Sequence, residues 1–412
     1  MKSKKRLGIW KKMLFALVPI LVFLLILELG ARVVCAGRFA QYNTSIAIQG
    51  NSRWDKDILT AWKNREGYLE YDDSSQYNEY GMRVKPGEFK MPPKEKNDFW
   101  VFLFGGSAIA GMGSNQDGQW LKITGVPTHS IENSIDGQLE KILKKSMPGR
   151  NVRVFNAAVS AGNIIQSRMN YEKLKYLNPD WIVSMDGVND LHSLKEGENP
   201  YKILFDSWDA HPIYKFPYRQ CRWLMRNSAL AFLVGEYVFF KSGIIRNAKN
   251  VKQDSNVLGY WLNQDKAKKA AVSNANADNL RAVASFMREL EKFNNILKYD
   301  GQNYLLLVQP HLSMRNPEKL KDVELAVYHY RLSTNSMVDP FMPSIHGETI
   351  KNYAENKNVV SMNAMHSWDG WIFVDYCHFS EQANKRIAEE IASFILSGGK
   401  QDIFKETKAG KQ

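Results

Sequence analysis

The most constraining feature of this sequence is a run of six apolar residues, Phe99 to Phe104 (FWVFLF), that stops at Gly105-Gly106. A strand with no polar face has to be covered on both sides, and that calls for helices above and below the sheet. Similar short runs recur at Val152–Phe155, Trp181–Met185 (WIVSM), Tyr304–Val308 (YLLLV) and Asn358–Ser361. Between them lie stretches with helical spacing over 131–145, 164–177 and 275–297, and a closing amphipathic helix over 380–396 with Ser380 as its N-cap. Strands alternating with helices predict an α/β fold around a central five-stranded parallel sheet. In such sheets ligands bind outside the carboxyl ends of the strands. The loops that matter are therefore those after Phe104, Phe155, Met185 and Val308, and the approach to the last helix.

The N-terminus sets a second constraint. Lys2, Lys4, Lys5, Arg6, Lys11 and Lys12 precede a segment over 13–36 that is apolar apart from Pro19, Glu28 and Arg32. At 1.5 Å per residue this segment crosses a hydrocarbon core of about 30 Å. The preceding lysines orient it with the N-terminus in the cytoplasm, so the rest of the chain lies outside, periplasmic or extracellular. Cys35-Ala36-Gly37 is a poor match to a signal-peptidase site, and Val34 departs from the lipoprotein pattern. The expectation is an uncleaved, single-pass anchor at the cell membrane, with the bilayer as a partner through residues 13–36.

Charge excludes one class of function. The 412 residues carry a formal charge of +12. The basic segment 1–12 holds +6 of it and the basic tail 398–412 a further +2, so the body of the chain is close to neutral. A nucleic-acid binder carries its basic excess on the folded domain, so nucleic acid is not an expected partner. Three cysteines make no disulfide framework, although export is compatible with a Cys221–Cys377 bridge. No three-ligand metal pattern or phosphate-binding loop is present, and no cofactor is expected.

The remaining organisation is a stalk and wrapping segment over 37–98, the main α/β domain over 99–397, and an aromatic-rich insertion within it at about 191–273. The insertion holds one apolar stretch, Ala229–Phe240, too short to span a bilayer and broken by Gly235 and Glu236. It reads either as a lid over the site or as a helix on the membrane surface, flanked by Arg226 and Lys241.

Most of the inspected loops carry a group that acyl transfer needs. After the first strand comes Gly105-Gly106-Ser107, a serine with an exposed hydroxyl whose own N–H faces a developing oxyanion. Gly162 follows the second strand and can present its N–H unobstructed; Asn189 follows the third in Gly187-Val188-Asn189-Asp190. Before the last helix, Asp375-Tyr376-Cys377-His378 lets a carboxylate orient an imidazole toward the serine.

In this order the four blocks resemble the SGNH hydrolases, also called the GDSL family, with Ser107, Gly162, Asn189 and His378 matching serine, glycine, asparagine and histidine. The resemblance covers about 78–396 without the insertion. It implies a flavodoxin-like three-layer α/β/α fold, a Ser107–His378–Asp375 triad, and an oxyanion hole from the Ser107 N–H, the Gly162 N–H and the Asn189 amide. One departure is plain: Gly106 stands where the family has an aspartate. An anchor followed by N-x-x-G-x-R (Asn78 to Arg83) and a strand ending in G-G-S is similar to membrane-anchored members from bacterial envelopes.

The expected function is a serine esterase acting on an O-acyl or O-acetyl ester outside the cytoplasm. Two other readings fit the same residues. One is an O-acetyltransferase that modifies a cell-surface polysaccharide, with an acylated glycan as substrate and a membrane acyltransferase as donor partner. The other is a non-catalytic envelope scaffold or glycan-binding protein. Among lesser candidates, His311 reads as a surface group and His366 as a substitute base without a D-x-x-H turn. Asp186 and Asp190 read as loop-shaping groups, and Trp368 and Trp371 as core or sugar-stacking rings.

Overall fold

The computed structural model describes residues 15, 17–34, 54–57, 61–64, 75–113, 129–160, 162–193, 224, 228–235, 277–321, 324–325, 327–328 and 341–404. The basic segment 1–12, residues 37–53, 58–60 and 65–74 of the stalk, nearly all of the insertion and residues 405–412 lie outside the described residues. The chain divides into two units, Arg53–Leu204 with Gln253–Gln412, and Met1–Ser52 with Phe205–Lys252.

The strands are β1 (Trp54–Asp57), β2 (Ala61–Asn64), β3 (Gln76–Tyr77), β4 (Arg83–Val84), β5 (Asp98–Gly105), β6 (Asn151–Asn156), β7 (Trp181–Asp186), β8 (Tyr304–Val308) and β9 (Val359–Ser361). The helices are α1 (Leu17–Val34), α2 (Ile135–Ser146), α3 (Ile164–Leu174), α4 (Val188–Ser193), α5 (Ala229–Gly235), α6 (Ala277–Tyr299), α7 (Met342–Asn352) and α8 (Glu381–Leu396). Helices α1 and α5 belong to the smaller unit, and everything else to the larger.

The larger unit is built on one sheet in the order β3-β4-β6-β5-β7-β8-β9. Strands β5 to β9 are parallel throughout, which is the five-stranded sheet the apolar runs predict. Their order, second-first-third-fourth-fifth, is the flavodoxin-like doubly wound arrangement. The sheet as a whole is mixed. β4 pairs antiparallel with β6 through Arg83 and Asn156, and β3 pairs antiparallel with β4, so part of the segment read as a wrapping stalk extends the sheet. Strands of two residues are too short to leave a pattern in sequence.

Both faces are covered, as the polar-free strands demand. Val101, Leu103, Val183, Met185, Leu305 and Leu307 join a core closed by Leu139 and Leu143 of α2 and Ile387 and Ile391 of α8. Phe102, Phe104, Ile182, Leu306 and Val308 join a second core, closed by Ile165 and Tyr171 of α3 and by Phe286 and Phe293 of α6. The sequence spacing misses α7, whose mid-helix Gly347 and weak apolar period conceal it, and six-residue α4. Ser380 caps α8 as expected, its hydroxyl accepting from the Ala383 N–H at 3.2 Å.

The approach to α8 is a tight loop. Phe373 and Phe379 form an antiparallel bridge across it, and the Val374 N–H donates to His378 O at 2.9 Å. A buried acid holds the loop from behind: Glu324 accepts from the N–H groups of Ile372 (3.1 Å) and Phe373 (2.9 Å) and lies 3.7 Å from the Arg315 guanidinium. Arg315 also donates to the carbonyls of Trp368 (2.8 Å) and Lys319 (2.9 Å). Both side chains are inaccessible to solvent, so each depends on the other to offset the cost of burying its charge. Cys377, in the same loop, is a free buried thiol, so the chain does not carry the Cys221–Cys377 bridge. Glu324→Ala strands the guanidinium and two loop N–H groups together, and is expected to cost about 3–5 kcal/mol. Urea unfolding of the full chain in mild detergent, followed by tryptophan fluorescence, measures it; a loss below about 1 kcal/mol would show that the pair does not hold the loop.

Candidate active site

The site forms where the sheet order reverses, between β5 and β7. β5 ends at Gly105, whose φ is +139° and whose Cβ, if it had one, would sit 2.3 Å from the Met185 carbonyl oxygen. Only glycine fits there. The chain then makes a short turn: the Ala110 N–H donates to Gly106 O (3.1 Å) and the Met112 N–H to Ser107 O (3.0 Å). Ser107 is left half-buried at the carboxyl end of β5.

His378, brought in by the loop before α8, meets it. His378 Nε2 lies 2.7 Å from Ser107 Oγ, and His378 Nδ1 lies 2.6 Å from Asp375 Oδ2. The other carboxylate oxygen, Asp375 Oδ1, accepts from the N–H groups of Cys377 (2.8 Å) and His378 (2.7 Å). A carboxylate against Nδ1 keeps the proton on that nitrogen and leaves Nε2 to accept from the serine hydroxyl. Burial works against the imidazolium, but the Asp375 charge and hydrogen bond outweigh it and raise His378 well above the ordinary histidine value. Burial likewise pushes Asp375 up, and the imidazolium with three hydrogen bonds pulls it below the usual carboxylate range.

Asp375, Cys377 and His378 also set three donor atoms within 4.8 Å of one another, the spacing of a metal site. The chemistry does not suit one. Burial raises the Cys377 thiol, keeping it protonated, and both Asp375 oxygens are already committed to hydrogen bonds within their own loop.

The other two sequence-derived donors are close by but already engaged. The Asn189 amide donates to Gly162 O at 2.9 Å, and the Gly162 N–H donates to Val159 O at 2.8 Å. In this arrangement Gly162 turns its N–H into its own loop rather than toward Ser107. Gly106 explains the departure from G-D-S. A Cβ on it would lie 2.6 Å from Asn189 Nδ2 and 3.0 Å from Gly162 O, so the asparagine closes over a residue that has no side chain.

Asp186 and Asp190 shape this loop. Asp186 accepts from the hydroxyls of Ser184 (2.6 Å) and Ser167 (2.8 Å); Asp190 accepts from the N–H groups of Gly187 (2.8 Å) and Ile164 (2.9 Å), which ties the asparagine turn to the start of α3. Burial, and for Asp190 the neighbouring Asp186 charge, push both carboxyls up.

Sequence reasoning missed the brace that joins β4 to the histidine loop. In the N-x-x-G-x-R segment the Asn78 side chain accepts from the Tyr80 and Met82 N–H groups, both at 3.0 Å, forming the bend that delivers Arg83. Buried Arg83 donates to Ser75 Oγ (3.1 Å) and to the His129 carbonyl, and pairs with Asp136 (3.6 Å). His129 Nε2 in turn lies 2.9 Å from Phe379 O, one residue from His378; burial lowers His129 to about 4, so it is a neutral donor. The motif spacing marked Arg83, but nothing in the sequence marked His129.

Three other candidates fall elsewhere. His311 is fully buried, with Nδ1 2.8 Å from Ser313 Oγ, and is not the surface group expected. A hydroxyl two residues on meets one ring nitrogen of the buried histidine locally. His366 is bound to Asn363 Oδ1 at 2.8 Å and is lowered by burial to about 4; the base that reaches Ser107 is His378. Trp368 is core, stacked on Phe404 with the Arg386 guanidinium 3.9 Å from its ring centre, and Trp371 donates its indole N–H to Phe373 O at 2.7 Å.

No family model and no curated protein matches the chain. Among solved structures it is similar to a lipase/acylhydrolase from Enterococcus faecalis (15% identity, 73% of this chain and 96% of that one, TM-score 0.33). It is also similar to a putative lipolytic protein of the G-D-S-L family from Desulfitobacterium hafniense (10%, 71% and 98%, TM-score 0.34). A third is an acetyl-xylooligosaccharide esterase from a Geobacillus (13%, 76% and 99%, TM-score 0.34). At such scores these likenesses carry no weight of their own, and the functional reading rests on the geometry of the chain itself.

Gly106→Ala tests the closure over the serine turn. The added methyl is expected to cost about 1–3 kcal/mol through the Asn189 amide. In an Asn189→Ala background, where the amide is gone, most of that cost should disappear. Thermal unfolding of the two single variants and the double variant gives the coupling, and simple additivity would place Asn189 away from Gly106.

Proposed function

We propose that the chain is a serine ester hydrolase of the SGNH type, anchored in the cell membrane by residues 13–36 with its catalytic domain outside the cytoplasm. The observation that carries this reading is the unbroken hydrogen-bonded line from Asp375 through His378 to Ser107. An alcohol is a poor nucleophile until a base takes its proton, and a neutral imidazole at 2.7 Å is placed to do so. Ser107 Oγ attacks the ester carbonyl as its proton passes to His378 Nε2, and the imidazolium so formed is stabilised by Asp375. It then protonates the leaving alcohol, and water repeats the sequence on the acyl-serine. The oxyanion is held by the Ser107 N–H and the Asn189 amide; Gly162 joins them by exchanging its bond to Val159. The anchor reading is supported by α1, whose side chains are almost all exposed at a mean hydropathy of 2.4, and by the six basic residues before it.

A fluorophosphonate probe on the full chain in detergent tests the nucleophile. The wild-type chain is expected to label and Ser107→Ala not to. Folded wild-type protein that fails to label would remove the enzyme and leave a scaffold.

The pH profile tests the base. Because His378 has to be neutral to act and Asp375 raises it, kcat/KM is expected to climb with pH, with its midpoint well above 6.5. Asp375→Asn removes the charge and leaves burial, which lowers the imidazole, so the midpoint should move down while the rate falls. A wild-type midpoint below 6.5 contradicts the Asp375–His378 coupling.

A further inference from the structure

Within the smaller unit, the acid of the anchor helix is joined to the insertion. Glu28 lies near the outer end of α1, and its carboxylate accepts from Ser228 Oγ (2.7 Å), the Ala229 N–H (2.9 Å) and the Leu230 N–H (3.0 Å). These are the first donors of α5, groups that a helix leaves without intrahelical partners. Ser228 Oγ adds the local cap, accepting from the Ala231 N–H at 3.0 Å. Arg32, one turn along α1, completes the carboxylate at 2.8 Å. An unpaired carboxylate at this depth is unfavourable, and here donors meet both its oxygens.

The surroundings are apolar. α5 reads ALAFLVG and has no polar side chain. Ala229 and Phe232 are buried, as is Ala31 one turn beyond Glu28, whereas Val234 is 56% exposed and the flanking Leu224 50%. α1, to which the start of α5 is bonded, likewise shows exposed apolar side chains along its length. Exposed apolar groups beside a hydrocarbon-facing helix match lipid better than water.

We infer that α1 is retained in the mature chain and that α5 is docked on its outer end through Glu28, so that the two helices enter the outer leaflet together and α5 is a membrane element, not a lid. This rests on the anchor reading above. It also separates an anchor from a cleaved signal sequence, because removing α1 would strip the Ala229 and Leu230 N–H groups of the carboxylate that meets them.

The test uses the full chain, with Cys35 and Cys221 replaced by serine, in nanodiscs of phosphatidylethanolamine and phosphatidylglycerol. A nitroxide is placed at Val234→Cys, and in a second sample at Leu24→Cys within α1. Collision with oxygen reports lipid, and collision with a water-soluble nickel chelate reports water. Both labels are expected to favour oxygen, and Glu28→Ala should raise nickel access several-fold at 234 alone. Ser228→Ala, which keeps both backbone bonds to Glu28, should give a smaller rise and serves where Glu28→Ala does not fold. Nickel access at 234 with oxygen access at 24 overturns the docking and leaves the anchor standing, whereas nickel access at both overturns the anchor as well. Strong dipolar coupling between 234 labels on two copies would mean that protein, not lipid, covers α5. An unmoved 234 label in both variants overturns the role of Glu28, and a mature N-terminus beyond residue 34 by intact mass overturns retention.

Discussion

One hydrogen bond joins residues 271 positions apart, and the rest of the larger unit can be understood as the means of making it. Ser107 and His378 arrive from opposite ends of the domain, on a turn and a loop that have no stiffness of their own. A bond of 2.7 Å tolerates little drift, so both segments have to be fixed by their surroundings to within a fraction of an ångström. The serine turn is fixed by close backbone packing. Gly105 sits against the Met185 carbonyl and Gly106 beneath the Asn189 amide, and neither contact leaves room for a side chain. The histidine loop is fixed by buried charge, with Glu324 and Arg315 behind it and Arg83 with His129 on the other flank.

The two devices differ in what they ask of the sequence, and this decides what could be read from it. Backbone packing leaves local signatures, a strand of apolar residues followed by glycines, and D-x-x-H compresses an entire orienting interaction into four residues. The parallel sheet, the serine and the histidine turn were legible for that reason. Polar bracing leaves almost none. Glu324 and His129 each act on the triad loop from about 50 to 250 positions away, through backbone carbonyls and N–H groups that any residue supplies. Arg83 was visible only as part of a spaced motif, and β3, β4 and α4 were too short to impose a period. Burial misled for His311, because a loop histidine looks solvent-facing in sequence even when Ser313 meets its Nδ1 inside.

Gly106 shows how a missing side chain can be used to join neighbouring loops. With a side chain at that position, the turn before the serine could be held by polar bonds from the residue itself. Without one, the asparagine amide and the Gly162 carbonyl occupy the space a Cβ would need and bond to each other at 2.9 Å. The loops after β5, β6 and β7 are thereby locked together over the missing Cβ. The lock has a chemical cost, because an amide hydrogen and the Gly162 N–H both serve the framework in this arrangement.

Electrostatics and that lock act on the same coordinate. A raised imidazole pKa means that His378 holds its second proton firmly once it has it, which in the proposed reaction would favour the charge-separated state in which the serine oxygen has attacked. That state would place a negative oxygen near the Ser107 N–H, and the field of an oxyanion would draw N–H groups from weaker acceptors such as a neutral carbonyl, since a charged acceptor makes the stronger bond. Bonds from Asn189 to Gly162 and from Gly162 to Val159 are of the kind an anion can outcompete. The framework bonds that hold the empty site in shape are thus drawn from the donors that the reaction would need. Shape is kept until charge develops, and the Asp375–His378 pair determines how readily it does.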